Sequence, residues 1–154
     1  MKVVDILKPE CIVFDIKKET KKDILTALAS PIAKAYNLDL DEMVTILLNR
    51  EKLGSTGIGE GVAIPHGKIR GLKSIAASIG KSAEGLAFDA LDGKPCHIFF
   101  LLIAPADFTS GHLKALARVS MMLKDPDFRN KLMKASSSKE IYSIIEEQDK
   151  SIPE

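Results

Sequence analysis

The sequence predicts an α/β fold, a single domain with a mixed β-sheet flanked by α-helices on both faces. Three observations carry this reading. Short β-rich runs alternate with segments whose apolar residues recur at helical spacing, the pattern of a sheet layered with helices. The run 97–103 is almost continuously apolar, as suits a central strand covered on both sides. The chain has 154 residues, and no repeat, low-complexity tract or linker divides residues 1–154.

Each element has a local cause. Residues 12–16 form the first strand candidate. Thr20 follows as an N-cap with Asp23 three residues on, and Ile24, Leu25, Leu28, Ile32 and Tyr36 mark the buried face of a helix. Pro31 removes a backbone donor and is expected to kink or split that helix. Asp39 with Glu42 opens a second helix carrying Met43, Ile46, Leu47 and Arg50, which Gly54 stops in a left-handed cap. Residues 62–64 read as a short strand ended by Pro65, which cannot donate to a ladder. Residues 75–79 and 97–103 are the remaining strands. Thr109 or Ser110 caps a helix over about 112–123 with Leu113, Leu116, Ser120 and Leu123 inward. Asp125, Pro126 and Asp127 break it, with Asp127 capping the next short helix. Ser137 with Glu140 caps a last helix carrying Ile141, Ile144 and Ile145.

Composition narrows the function. Lys and Arg number 22 against 21 Asp and Glu, a net charge of +1, which argues against a generic nucleic-acid binder. There is no tryptophan, so base-stacking platforms are not expected. The longest apolar run, 98–104, is far short of the ~20 residues of a membrane span. Asp5 interrupts the N-terminus, which does not read as a signal peptide. Two cysteines, Cys11 and Cys96, make neither a disulfide framework nor a CxxC pair, so a reducing cytoplasm is the expected location.

The chemistry concentrates between Arg50 and Lys68. Gly54, Gly57, Gly59 and Gly61 alternate with polar Ser55 and Thr56, a segment able to turn its N–H groups toward one point as an anion nest, or to serve as a plain surface turn. It is not a Walker loop, because no Gly-Lys-Ser/Thr follows, and not a dinucleotide fingerprint, because it follows a helix. His66 sits between Pro65, which stiffens the approach, and Gly67, which removes bulk beside the imidazole. It is either a structural hydrogen-bonder or a nucleophile. Arg50 and the glycine loop favour the nucleophile, since a phosphoryl group on imidazole needs cationic and N–H donors around its oxygens. His66, His97 and His112 are too widely spaced for a zinc set, and no metal is expected. Cys96 and His97 read as packing residues. His112 opens a helix, where free N–H groups favour an anion, unless it is simply an exposed first-turn residue.

These residues resemble a known family. Arg50-Glu51 followed by the stretch from Ser55 to Lys68, residues 88–95, the apolar strand ending in Ala104-Pro105, and His112-Leu113 are similar to the IIA domains of the bacterial phosphotransferase system. The likeness is to the fructose/mannitol/nitrogen-regulatory type, above all its stand-alone nitrogen-regulatory members. It implies that His66 accepts a phosphoryl group on Nε2 from the phosphohistidine of HPr or a nitrogen-branch relative, that His112 lies against it, and that Arg50 assists. Ser55, Thr56, Gly57, Gly59 and Gly67 are then expected to bind the phosphoryl group. Ile58, Ile64, Phe108 and Leu113 are candidates for the carrier's docking patch. No cofactor is implied. Two functions follow, a regulator acting through its phosphorylation state and a transport component passing phosphate to a IIB domain for fructose, mannitol or a related sugar. A hydrolase using His66 is disfavoured, because Glu60 is the only obvious acid/base carboxylate beside it.

Overall fold

The computed structural model describes residues 1–107 and 110–153, with Ser110 described by its backbone. After a 3-10 turn at Val3–Asp5 come β1 (Leu7–Val13), α1 (Lys21–Tyr36), α2 (Leu40–Lys52), β2 (Gly57–Gly59), β3 (Val62–Ala63), β4 (His66–Ile69), β5 (Ala76–Leu86), β6 (Cys96–Pro105), α3 (Ser110–Lys124), α4 (Pro126–Lys134) and α5 (Ser138–Lys150). The six strands form one mixed sheet in the order β1-β5-β6-β3-β2, with β4 also paired to β6. β1 runs parallel to β5, β5 antiparallel to β6, and β3 and β4 both parallel to β6.

The helices cover both faces. On β5 the Ser78 hydroxyl donates to the Leu28 carbonyl of α1 at 2.7 Å. The ammonium of Lys81, three residues on and of opposite parity, donates to carbonyls of Leu132, Met133 and Ala135 at the end of α4. Thus α1 and α2 lie on one face and α3 to α5 on the other, and β6 between them is buried on both.

Local chemistry sets most boundaries. Thr20, Asp39 and Ser137 accept the backbone N–H groups of Asp23, Glu42 and Glu140, as their spacing predicts. The fourth cap differs. Asp125, not Asp127, accepts at the start of α4, because Pro126 takes the first helical position, where no N–H is needed. α1 is not split at Pro31 and runs on to Asn37, whose φ of 55° supplies a left-handed cap. α2 ends at Lys52 with Leu53 as its cap in right-handed conformation, and Gly54 follows at φ 146°, outside the left-handed helical well. β1 begins earlier than expected and β5 extends to Leu86. The expected caps at Thr109 and Ser110 lie outside the described side chains.

Two further corrections bear on function. α3 buries His112, Ala115, Arg118, Val119, Met122 and Leu123, while Leu113 is 67% exposed. That rotates the inward face away from the set built on Leu113 and Leu116. In addition, the strand ended by Pro65 resumes. Ala63 stands opposite Phe99 and His66 opposite Leu102, so the register survives the break, and the Pro65 carbonyl accepts from Leu102 N–H at 2.9 Å. Proline interrupts the ladder only where its missing N–H is due.

Candidate functional site

His66 is the first residue of β4, and strand alternation fixes where its ring goes. Gly67 faces α2 so closely that a Cβ there would lie 2.9 Å from Ile46 Cγ2. Gly67 is therefore required for strand–helix packing, not for open space beside the imidazole. His66, on the other face, points to α3, where its ring centroid is 5.4 Å from that of His112. His66 Nδ1 lies 2.9 Å from the Ile64 carbonyl oxygen. A carbonyl only accepts, so Nδ1 carries the ring proton and Nε2 keeps its lone pair. Burial pushes the imidazole below its ordinary range. The hydrogen bond to Ile64 and the Glu51 charge oppose that, and the Arg50 charge adds to it. The lowered basicity favours the neutral imidazole, with the free lone pair on Nε2.

His112 is in the first turn of α3 and only 7% exposed, so it is not an exposed first-turn residue. Among the described residues its buried Nδ1 has no hydrogen-bond partner. Burial lowers its basicity first, followed by the neighbouring His66 and Lys68. Arg50, in the last turn of α2, donates from one guanidinium nitrogen to the Gly54 carbonyl at 2.9 Å and acts electrostatically on His66. The three residues singled out from the sequence are thus brought together from α2, β4 and α3.

The glycine loop is built differently from an open nest. The Ser55 hydroxyl donates to the Phe88 carbonyl at 2.7 Å and accepts Gly57 N–H at 3.0 Å. The hydroxyl and N–H of Thr56 both go to the Glu51 carboxylate. A Cβ on Gly57 would stand 2.9 Å from Ala90 Cα, so this glycine admits the 88–92 segment. Gly59 pairs with Val62 at the base of a turn made by Glu60 and Gly61, both at positive φ. The hydroxyls of Ser55 and Thr56 and the N–H groups of Thr56 and Gly57 are thus directed to acceptors within the protein.

Of the docking candidates, Ile58 and Leu113 are exposed, Ile64 is 4% exposed and therefore a core residue, and Phe108 lies outside the described residues. Cys96 and His97 are packing residues as expected, with His97 Nδ1 hydrogen-bonded to the Ser82 carbonyl and burial pushing the Cys96 thiol up to about 11. No group of three or more His, Cys, Asp or Glu among the described residues could hold a metal ion. No helix among them is long and apolar enough to cross a membrane. Two residues of the matched stretch were given no role by the sequence. Lys68 shares the His66 face of β4, a relation visible only once 66–69 is known to be a strand. Glu51 is a buried carboxylate at the end of a helix, where an exposed side chain is the ordinary expectation.

Residues 5–148 match the family described as the phosphoenolpyruvate-dependent sugar phosphotransferase system, EIIA 2. The chain belongs to that family. A nitrogen regulatory protein of Bradyrhizobium diazoefficiens is 38% identical over 145 residues, covering 94% of this chain and 95% of that protein. The fructose-specific EIIABC component of Bacillus subtilis is 35% identical over 151 residues, which are 97% of this chain but 24% of that larger protein. The crystal structure of the nitrogen regulatory protein IIA-Ntr from Neisseria meningitidis agrees with a TM-score of 0.85 at 35% identity, covering 92% of this chain and 97% of that one. The α/β fold and the family expected from the sequence both hold, and the role is that of a IIA phosphocarrier working with other components of the phosphotransferase system.

Proposed function

We propose that this EIIA domain takes a phosphoryl group onto Nε2 of His66 from the phosphohistidine of HPr or its nitrogen-branch relative, and acts mainly as a regulator through its phosphorylation state. The hydrogen bond from His66 Nδ1 to the Ile64 carbonyl carries the reading, because it leaves Nε2 as the attacking atom. The Nε2 lone pair forms the new N–P bond while the bond from phosphorus to the donor imidazole breaks, its electron pair returning to the donor nitrogen. The Nδ1 proton stays on the His66 ring, held by Ile64. Transfer of this kind asks mainly for positioning and charge stabilisation. Arg50 supplies the charge, and His112 supports the group from the first turn of α3 without itself carrying phosphate. Gly59 and Gly67 keep their phosphoryl-binding assignment within this proposal, whereas Ser55, Thr56 and Gly57 act by shaping the loop. The scheme uses no metal and no cofactor, and it belongs in the cytoplasm with the donor.

The regulatory reading is supported by relatives of nearly the same length that are named nitrogen regulatory proteins. The second reading, transfer onward to a IIB domain during sugar uptake, is supported by the fructose-specific relative. The test is incubation with phosphoenolpyruvate, the first enzyme of the system and HPr, followed by mapping of the phosphate by mass spectrometry. An acid-labile, base-stable phosphate on His66 is expected, and a stable phosphate on His97 or a serine overturns the assignment. Adding a purified IIB domain and its sugar then separates the two roles. Transfer through to sugar makes the protein a transport component. Arg50→Lys, which keeps charge but loses the planar fork, is expected to slow labelling without loss of fold, as followed by rapid-quench kinetics.

A further inference from the structure

Glu51 is 7% exposed and follows directly on Arg50. Its carboxylate accepts the N–H of Thr56 at 3.1 Å, the hydroxyl of Thr56, and the ammonium of Lys21 at 3.1 Å. Lys21, at the start of α1, also pairs with Asp89 at 3.3 Å and lies 4.6 Å from the centroid of the Phe88 ring. The Phe88 carbonyl in turn accepts the Ser55 hydroxyl. One buried carboxylate thus joins the end of α2, the start of α1, the 88–92 segment and the glycine loop. Charge-assisted hydrogen bonds of this kind are short and directional, and a buried carboxylate that loses a partner is costly, so the arrangement holds one geometry.

What that geometry fixes is the turn from Gly54 to Gly57. The Gly54 carbonyl is the acceptor for the Arg50 guanidinium, and Gly54 N–H donates to the Glu51 carbonyl at 3.1 Å. Thr56 is pinned at the far side of the same turn. We infer that Glu51 is a positioning residue for phosphoryl transfer, clamping the 54–57 turn through Thr56 so that Arg50, anchored on the Gly54 carbonyl, is held beside His66. The inference rests on the proposed role of His66 and Arg50. It also assigns the Thr56 hydroxyl to Glu51, not to a phosphoryl oxygen. A long arginine side chain has many rotamers, and fixing its anchor removes part of the ordering cost that the transition state must otherwise meet.

The test measures the rate of His66 phosphorylation by potassium phosphoramidate, a small donor that needs no docking surface, and then by phosphorylated HPr. Glu51→Gln keeps the shape of the side chain but removes its charge. Thr56→Val keeps the volume of Thr56 but removes its hydroxyl, and Thr56→Ser restores the hydroxyl. Glu51→Gln and Thr56→Val are each expected to slow labelling about tenfold with both donors, and Thr56→Ser to stay within about twofold of the unmodified protein. Because Glu51 acts through Arg50, the Arg50→Ala/Glu51→Gln double variant is expected to be no slower than Arg50→Ala alone, within about twofold. A merely structural role predicts multiplication of the two losses, and that outcome overturns the inference. So does an unchanged rate in Thr56→Val, which decides the matter if Glu51→Gln does not fold. Slow Arg50→Ala with fast Glu51→Gln overturns this inference alone. An unchanged rate in Arg50→Ala overturns it together with the proposed role of Arg50.

Discussion

α3 buries two polar side chains within two turns, and they are treated in opposite ways. Arg118 is 7% exposed and each of its guanidinium nitrogens donates a hydrogen bond. Its Nε and one terminal nitrogen donate to Asp149 Oδ1 at 3.2 and 3.1 Å, and the terminal nitrogens reach the carbonyls of Asp149, Ile152 and Pro153. Asp149 in turn accepts the N–H groups of Val3 and Val4, so the pair ties both ends of the chain to α3. His112, at the start of the same helix, is equally buried and leaves Nδ1 without a partner among the described residues. A buried polar group that is fully hydrogen-bonded holds a fold together. One left unsatisfied costs stability, and such groups concentrate where function needs them.

The largest expected effect comes from breaking the satisfied end. Asp149→Ala leaves the Arg118 charge buried and unpaired, at a cost of about 3–5 kcal/mol. Urea unfolding reads that loss as a lower midpoint, while the folded protein is expected to label His66 at the ordinary rate. The end that lacks a partner among the described residues is expected to behave in reverse. His112→Ala should slow phosphoryl transfer about tenfold, about 1.4 kcal/mol of barrier, in rapid-quench assays. His112→Leu, which removes the nitrogen that has no partner among the described residues and keeps apolar volume, is expected to unfold at the same urea concentration or higher. Unchanged forward and reverse rates in His112→Ala make the histidine a packing residue and erase the contrast.

The smallest effect is a pH dependence with a definite sign. Burial holds His66 and His112 below the ordinary imidazole value when folded, and the unfolded chain regains that value, about 6.5. The unfolded state therefore binds more protons as pH falls. Their contribution to stability is complete above about pH 6.5 and declines below it. Urea titrations across that range are expected to show the decline, and His112→Leu to flatten it. The labelling rate with phosphoramidate should hold steady down to about pH 6.5 and fall only below, because His66 stays neutral until its lowered value is reached.

The sequence by itself determined the elements whose cause is local, and it singled out His66 as the candidate for chemistry. Thr20, Asp39 and Ser137 cap their helices because the acceptor and its N–H lie three residues apart, a relation that needs no other part of the chain. The central strand was legible because burial on both faces leaves a continuous apolar run, and His66 and Arg50 stood out through their place around a glycine-rich loop. Tertiary structure alone decided the rest. β4 exists because residues 66–69 find residues 102–105 across the sheet, and nothing within 66–69 predicts that pairing. Only with that strand in place does Lys68 share a face with His66, Gly67 meet Ile46, and the imidazole turn toward His112. The inward turn of Ser55 and Thr56 likewise depends on Phe88 and on a carboxylate that the packing of α1 against α2 buries. A hydrogen bond to a residue three positions away is specified by composition and spacing, whereas one to a residue brought close by folding exists only after the core has formed around it.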